Sequence, residues 1–439
     1  MTARHEAPSH ALAWRLAGPI ILANLSVPML GAVDTAVMGH LPNPAYLGGV
    51  AVGAVVFQFI YWGFGFLRMG TTGLVAQADG ANDQAEVRAT LLRSLLIAGT
   101  AGVVLWILQT PIFAIARALF DASAEVEGFA HDYFRIRIWS APATLANYCL
   151  IGWFIGMRNT RAALVLQLWM NGLNIVLSLS FVVGLGWGVE GVAAATAIAE
   201  YAAVALALYL WRNQSSVAVG RAAVFDTARL KRLFGVNFDI FVRTLCLIAT
   251  FALFTRQGAS MGDALLAANA VLMQLQSFLS FGLDGFAHAA EAMVGGAVGA
   301  RDKASFKQSV RITGQWALIV AAGYTMVYAV AAPFIIAALT DIPDVRASAG
   351  EYVIWLAISP IVSVWSFMLD GIFIGATRTR DMRNAMIFSL AIFLIAMTVL
   401  QPMYGNHGLW AALMIFMAAR AASLGYLYRG LLRSLGPAA

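Results

Sequence analysis

Long apolar stretches dominate the chain, and each is close to the ~20 residues that a helix needs to cross the hydrocarbon core of a bilayer. We place twelve predicted spans, numbered 1 to 12, at about 14–39, 46–70, 89–115, 133–157, 162–184, 189–211, 233–256, 264–291, 308–335, 350–376, 384–403 and 408–429. Spans of ~23 residues would together fill about 63% of the chain, which leaves room only for short loops. The pattern therefore predicts an all-α polytopic membrane protein with twelve transmembrane helices and no attached soluble domain.

The amino-acid composition also indicates a membrane protein. Of the 439 residues, 61% are hydrophobic and 11% are charged, against roughly 45–50% and 25% in ordinary soluble domains. A soluble globule could not cover its surface with so little charge. Cys149 and Cys246 both lie inside apolar stretches, so no disulfide framework is expected. The net charge of +6 comes from Lys and Arg scattered singly among the loops, which does not indicate a nucleic-acid partner.

The basic residues are distributed unevenly between the two sides of the predicted membrane. With a cytoplasmic N-terminus, the cytoplasmic loops and tails hold twenty Lys and Arg residues. The opposite side holds five, namely Arg117, Arg135, Arg137, Arg256 and Arg346. Because basic residues accumulate on the cytoplasmic side of membrane proteins, we predict that both termini are cytoplasmic.

The chain also repeats itself at an offset of 219 residues. The segment Val75–Ala85 aligns with Val294–Ala304 at six identities in eleven, and Leu150–Arg161 aligns with Leu369–Arg380 at seven in twelve. A constant offset across both matches indicates a duplicated unit.

The repeat predicts a domain organisation. An N-terminal six-helix lobe spans residues 1–211, a cytoplasmic basic linker spans 212–232, and a C-terminal six-helix lobe spans 233–439. With six spans each, the lobes have the same orientation, so a pseudo-two-fold axis along the membrane normal should relate them. In such architectures the substrate cavity lies between the bundles near the midplane, and rocking of the bundles gives alternating access. The pattern is typical of a transporter.

Polar residues inside the N-terminal spans are candidates for a coupling site, since an ionisable group in a membrane helix is costly and functional by default. Asp34 lies in span 1 near Pro28, and desolvation favours uptake of a proton by such a carboxylate. Asn171, Asn174 and Ser178 share one face of span 5, Thr196 and Glu200 share one face of span 6, and Asn24 is a further polar residue of span 1. They could line a small pocket for a proton, water or a cation, or they could be hydrogen bonds between helices.

The C-terminal half carries acidic residues that its repeat partners lack. Asp284, His288 and Glu291 share one face of span 8, and Asp370 lies in span 10. An acidic cavity wall would attract organic cations; the alternative is helix packing or contact with solvent. Glu200 of span 6 is also a candidate for substrate contact.

The remaining candidates are one predicted salt bridge and two apolar residues. Asp239 and Arg243, four residues apart in span 7, are interpreted as a mutual salt bridge. Phe64 of span 2 and Met273 of span 8 are candidates for an adaptable apolar lining, although most such residues face lipid or pack.

Several chemistries are excluded by what the sequence lacks. It has no GxxxxGK[ST] loop, so it does not hydrolyse ATP by itself. No His, Cys or carboxylate cluster has the spacing of metal ligands. We therefore expect neither an enzyme nor a bound cofactor or metal.

Five segments give the sequence a family resemblance: VDTAVMGHL, AQADGAND, GWGVEGVAAAT, LDGFAHAAEAMVG and LDGIFIGATRTRDMRNAM. With these motifs the chain resembles the multidrug and toxic compound extrusion (MATE) family, and the last two look like its DNA-damage-inducible F (DinF) branch. The resemblance implies two lobes, a central cleft, and export of varied, often cationic compounds in exchange for protons or sodium ions. Asp34 matches the family's helix 1 aspartate, whose protonation or ion binding is linked to bending of that helix. Asn174 and Thr196 match its polar partners.

The chain departs from the family pattern at one position. Where helix 5 of the family usually reads N-x-x-x-D, this sequence has Asn174 followed by Ser178. Sodium binding needs oxygen ligands and negative charge, so loss of a carboxylate favours protons as the coupling ion.

The leading hypothesis is a proton-coupled multidrug efflux antiporter of a bacterial inner membrane, which acts as a monomer and exports organic, mainly cationic or amphipathic compounds by alternating access. The alternatives are sodium coupling, or a flippase or exporter of lipid-linked or endogenous metabolites. A major-facilitator-type carrier shares the six-plus-six repeat, but the loop GANDQAE at 80–86 argues against it.

Overall fold

The computed structural model describes residues 6–39, 43–120, 123–212, 214 and 217–436, and for residues 32, 34, 35, 39 and 44 it describes the backbone alone. Every regular element in these ranges is helical. The first half holds α1 (His10–Gly39), α2 (Pro44–Gly63), α3 (Phe66–Gly80), α4 (Gln84–Ile107), α5 (Gln109–Phe120), α6 (Ala124–Arg137), α7 (Ala141–Gly156), α8 (Thr160–Ser178) and α9 (Gly188–Arg212). The second half holds α10 (Arg221–Val224), α11 (Thr227–Ala259), α12 (Asp263–Gly299), α13 (Lys303–Leu339), α14 (Pro343–Gly375) and α15 (Thr379–Ser434).

These helices account for all twelve predicted spans. Spans 2, 3 and 4 are each built from two consecutive helices, α2 with α3, α4 with α5, and α6 with α7, and the last pair is joined by a 3-10 turn. Span 5 is α8 extended by a π-helical segment, Leu179–Gly184. Apart from α15, each remaining span is a single helix. The prediction of twelve transmembrane helices is confirmed.

Spans 11 and 12 are the two arms of α15. Gly405, with φ 55° and ψ −131°, breaks the helix between them. At Gly408 a Cβ atom would overlap the backbone of Leu400, which lies eight residues earlier. The chain therefore turns sharply here, and only residues without a side chain fit the turn.

The predicted linker 212–232 contains more helix than expected, because α11 begins at Thr227 and α10 lies within it. Arg93 of α4 holds this region, and its side chain is 2% exposed. Its guanidinium donates to the carboxylate of Glu86 at 2.8 Å and to the carbonyl oxygens of Ala223 and Val224 at 2.5 and 3.1 Å. Charge-assisted hydrogen bonds of this kind fix the linker against α4.

The repeat is visible in the backbone. Among the residues that the structure describes, four that are not glycine have positive φ: Asn82 and Arg301 at 57° and 56°, and Arg158 and Thr377 at 56° and 51°. Each pair is separated by the offset of 219 found in the sequence. The left-handed conformation is uncommon for such residues, so its recurrence at equivalent positions supports a duplicated unit.

The helices that follow the first of these pairs are capped in the same way. Asp83 accepts a hydrogen bond from the backbone N–H of Glu86 at 2.9 Å, and Asp302 accepts one from Ser305 at 2.9 Å. Each carboxylate satisfies an N–H at the start of the next helix. The hydroxyl and the backbone N–H of Ser305 hold the pKa of Asp302 below its usual value.

Equivalent glycines allow close helix packing in both halves. A Cβ atom at Gly152 would overlap the carbonyl oxygen of Arg68, where α7 meets α3. In the second half a Cβ at Gly371 would overlap the carbonyl oxygen of Ala287, where α14 meets α12. Small residues let membrane helices approach backbone to backbone. Gly156 and Gly375 repeat the same arrangement one turn later.

The chain divides into two compact units. One consists of Leu22–Val75 and Asp83–Phe234, and the other of Met1–Ile21, Ala76–Asn82 and Gly235–Ala439. The start of α1 and the end of α3 therefore pack with the second half of the sequence. Trp14 contacts Phe286 and Trp316 edge to face with 5.2 Å between ring centroids. The symmetric lobes 1–211 and 233–439 and their pseudo-two-fold axis stay predictions.

The glycine contacts generate a stability prediction. Gly371→Val should destabilise the protein by about 1–3 kcal/mol, because its side chain would be forced against the backbone of α12. The measurement is the thermal midpoint of the purified protein in detergent. Gly323→Val on α13, where a Cβ would meet nothing within 4 Å, is the matched control. Equal midpoints for the two variants would contradict the proposed packing.

Candidate functional site

The polar residues predicted on spans 5 and 6 meet between α8 and α9. The amide nitrogen of Asn174 donates to the hydroxyl of Thr196 at 3.0 Å, and the hydroxyl of Ser178 donates to the amide oxygen of Asn174 at 3.1 Å. All three side chains are buried. The chain of donors ends at the backbone, since Thr196 donates to the carbonyl oxygen of Val192 at 3.0 Å. We call Asn174, Ser178 and Thr196 the neutral polar cluster.

Asn171 connects α8 to α1. Its amide nitrogen donates to the hydroxyl of Ser26 at 2.8 Å, and its amide oxygen accepts from Gln167 at 3.1 Å. Asn24 lies on α1 two residues before Ser26. The backbone of Asp34 also belongs to α1, but its side chain lies outside what the structure describes. A contact between Asp34 and the neutral polar cluster therefore stays a prediction.

Glu200 lies one turn beyond Thr196 on α9 but belongs to a different group of residues. The hydroxyl of Thr144 donates to its carboxylate, and the amide of Asn147 donates to its backbone carbonyl oxygen at 3.0 Å. Its other carboxylate oxygen lies 3.9 Å from a guanidinium nitrogen of Arg137. Glu200 is thus balanced by a basic residue inside the helical run that α6 and α7 form.

Arg137, which is predicted to lie on the side of the membrane opposite the termini, has a largely buried side chain. The residue ends α6, its side chain is 18% exposed, and its guanidinium lies over the ring of Phe57 at 5.1 Å. A glutamate in an apolar helix needs a counter-charge or a proton. The position of Glu200 in an apolar span could therefore have prompted a search of the sequence for a basic partner.

Asp370 of α14 is held by two arginines. One oxygen, Oδ2, accepts hydrogen bonds from Arg243 of α11 and, at 2.6 Å, from Arg420 of α15. The three residues are 7%, 7% and 3% exposed, in the order Asp370, Arg243, Arg420. We call them the Arg–Asp–Arg cluster. The carboxylate of Asp370 is thus paired with two guanidinium groups, and its predicted contact with substrate stays a prediction.

The predicted salt bridge between Asp239 and Arg243 is wrong. Asp239 instead accepts from Arg383 at 2.6 Å and from the hydroxyl of Thr379 at 3.0 Å, both on α15. The two residues are one turn apart on α11, but each packs against a different helix. A spacing of four residues indicates that two side chains lie on the same face of a helix. It does not indicate whether either of them pairs with a residue on a neighbouring helix.

The remaining acidic candidates lie on α12. Glu291 is 1% exposed, and one of its carboxylate oxygens lies 4.0 Å from the Nε2 atom of His288. The alternative that Glu291 lies in solvent is therefore wrong. Asp284 is less buried and interacts electrostatically with Arg420.

The two apolar candidates are both half-buried. Phe64 follows the last residue of α2, and its ring centroid is 5.7 Å from that of Phe66. Met273 lies in α12 and accepts a hydrogen bond from Ser277 through its backbone carbonyl oxygen at 3.1 Å. Their roles in lining a cavity stay predictions.

No group of three or more His, Cys, Asp and Glu side chains that could hold a metal ion occurs among the residues described. Three carboxylates in this part of the chain, Glu200, Asp239 and Asp370, are instead paired with basic residues on neighbouring helices.

Comparison with known proteins decides the family. The MatE family model matches residues 19–180 and 240–400, which covers both repeats. The chain belongs to the MATE family. Its members are transporters and not enzymes, so this protein moves small molecules across a membrane.

Individual relatives agree with this assignment. The MATE chain is 43% identical over 419 residues to "DNA damage-inducible protein F" of Escherichia coli K12, which covers 95% of this chain and 91% of that protein. It is 26% identical over 420 residues to "Protein DETOXIFICATION 44, chloroplastic" of Arabidopsis thaliana, covering 92% and 79%. The resemblance to the MATE family and its DinF branch is thereby confirmed.

Solved structures establish the fold. The structure described as "Outward-facing conformation of a multidrug resistance MATE family transporter of the MOP superfamily" superposes with a TM-score of 0.88 at 19% identity. The alignment covers 98% of this MATE chain and 97% of the other. The all-α, multi-pass fold with twelve helices is therefore the MATE fold.

The Glu200 group yields a prediction on stability. Glu200→Gln keeps the shape of the side chain but leaves Arg137 without its counter-charge, which should cost about 1–3 kcal/mol of folding free energy. Thermal midpoints in detergent measure the effect. Glu190→Gln, on an exposed side chain of the same helix, serves as control and should leave the midpoint unchanged.

A double variant separates charge pairing from simple packing. Arg137→Gln combined with Glu200→Gln removes both charges and should recover part of the stability lost in Glu200→Gln alone. If the double variant is as unstable as the sum of the two single variants, the pair does not interact.

Proposed function

We propose that this MATE transporter exports organic, amphipathic compounds in exchange for protons by alternating access. Asp34 is the proposed coupling residue. The protein would act as a monomer in a bacterial inner membrane with both termini in the cytoplasm. The similarity to the Escherichia coli protein and the excess of basic residues on one side of the predicted membrane support this assignment.

The neutral polar cluster is the observation that carries the choice of coupling ion. Ser178 occupies the position where the family pattern has a carboxylate, and its hydroxyl is engaged with Asn174 at 3.1 Å. Asn174 in turn is engaged with Thr196. None of these side chains carries charge, whereas a sodium ion is bound best by several oxygen ligands that include anionic ones. A single carboxylate, Asp34, suffices for a proton.

The hydrogen bond between Asn171 and Ser26 suggests how protonation acts on α1. That contact joins α8 to α1 at 2.8 Å, eight residues before Asp34. Protonation converts Asp34 from a charged acceptor into a neutral group with one donor, which changes the hydrogen bonds it can make to neighbouring helices. We propose that α1 rearranges about this attachment when the proton is taken up or released.

The first test is transport by proteoliposomes under a proton gradient, a sodium gradient or neither. Efflux of an amphipathic dye should require the proton gradient, and Asp34→Asn should reduce it to the rate seen without a gradient, because an amide cannot exchange a proton. Asp132→Asn, on a half-exposed side chain, is the control and should transport normally. Sodium-driven efflux without a proton gradient would contradict the proposal.

Restoring the missing carboxylate provides a second test. Ser178→Asp recreates the N-x-x-x-D pattern and adds an anionic oxygen beside Asn174, so efflux should gain a dependence on sodium. Ser178→Asn, which is similar in size and neutral, should not. The measurement is efflux at fixed pH over a series of sodium concentrations. A sodium response of Ser178→Asp no greater than that of wild type would show that this position does not select the ion.

A further inference from the structure

The Arg–Asp–Arg cluster has features that a purely structural salt bridge does not need. Its members come from three different helices, α11, α14 and α15, and all are at least nine-tenths buried. Two guanidinium groups converge on the same oxygen of one carboxylate. A carboxylate that serves only to pair with arginine usually offers both oxygens to it.

Three buried polar atoms of the cluster have no hydrogen-bond partner. They are Oδ1 of Asp370, Nε of Arg243 and Nε of Arg420. An unpartnered polar atom inside a protein carries a desolvation penalty, and native structures contain few of them. The two free Nε–H donors belong to charged groups, for which the penalty is greater.

Charges of both signs act on Arg420. Arg243 repels it, while Asp370 and the less buried Asp284 attract it. Its guanidinium also donates to the sulfur of Met417 at 3.2 Å, which is a weak acceptor, and lies over the ring of Phe416. Only one of its donors reaches a carboxylate, that of Asp370, and its Nε–H has no partner although the side chain is almost fully enclosed.

We propose that Arg243 and Arg420 bind the oxyanion of a transported compound, a carboxylate or phosphate group. Asp370 is their counter-ion when no such compound is bound. Guanidinium groups match the geometry of such oxyanions and bind them through paired hydrogen bonds. The arriving group would supply acceptors to the two Nε–H donors and would compete with Asp370 for them. This inference rests on the proposed transport function and assigns it substrates that are zwitterionic or anionic.

A cation site at Asp370 would have the opposite properties. A cationic group approaching Asp370 must overcome repulsion from both arginines, and its only acceptor would be Oδ1. Removing the negative charge of Asp370 should therefore weaken cation binding but strengthen oxyanion binding. The cation site and the oxyanion site therefore predict opposite changes in ligand affinity when the charge of Asp370 is removed.

The experiment compares two forms of one dye, a xanthene with a free carboxylate and its methyl ester. Binding to the purified full-length protein in detergent is followed by fluorescence polarisation at fixed pH and salt. Wild type should bind the acid form about tenfold more tightly than the ester, as expected for a charge-assisted pair. Arg243→Gln and Arg420→Gln should each bring the two affinities close together. Asp370→Asn should increase affinity for the acid form.

Control variants test whether the arginine variants still fold and whether the preference for the acid dye arises at this cluster. Each arginine variant leaves a balanced pair of one arginine and Asp370, and Arg420→Lys retains the charge and should retain part of the preference. Arg383→Gln removes the arginine that pairs with Asp239 between α11 and α15, and it should leave the ratio of affinities unchanged. A preference for the ester, or lower affinity of Asp370→Asn for the acid form, overturns the proposal.

Competition identifies the source of the oxyanion. Displacement of the acid dye by glycerol phosphate supports a small organic anion, and stronger displacement by phosphatidylglycerol supports a lipid headgroup at the same site. Displacement by neither overturns the proposal. Binding in detergent needs no gradient, so a failure here leaves proton-driven efflux intact, and a failure of proton coupling leaves the preference for the acid form intact.

Discussion

A charge inside a membrane protein has to be neutralised by a partner or by a proton, and the polar interior of this transporter follows from that requirement. Glu200 is balanced by Arg137, Asp239 by Arg383, and Asp370 by two arginines. Each pair joins different helices, so the same contacts that neutralise charge also fix helix positions. A carboxylate committed in this way therefore contributes to helix packing as well as to charge balance.

The backbone framework is duplicated while the polar chemistry is not. Gly152 and Gly371 allow equivalent close contacts in the two halves, and the left-handed residues Asn82 and Arg301 end equivalent helices. The same framework carries Thr72 in one half and Glu291 in the other at the corresponding place. Duplication therefore preserved the contacts that small residues and helix ends require, whereas positions that only fill the interior between helices were free to diverge.

Sequence patterns predicted what depends on a single helix or on a repeat. Length and hydropathy gave the twelve spans, and helical periodicity brought Asn174, Ser178 and Thr196 to one place. The patterns failed where pairing depends on tertiary packing. Arg243 was assigned to the nearest acidic residue along its own helix, although its partner is 127 positions away. The break between α2 and α3 was not predicted either, because an apolar stretch looks the same whether its helix is continuous or interrupted.

The two polar clusters differ in charge, and this difference suggests different roles for them. The neutral polar cluster of the first half has no fixed charge, so under the proposed function its electrostatics would depend on the protonation of Asp34. The Arg–Asp–Arg cluster of the second half combines one carboxylate with two guanidinium groups, which are donors only. A site of the first kind suits coupling to a proton gradient. A site of the second kind suits recognition of a charged group. Under the two proposals, ion coupling and substrate recognition depend on different residues, so each can be varied by changing side chains in one half of the sequence.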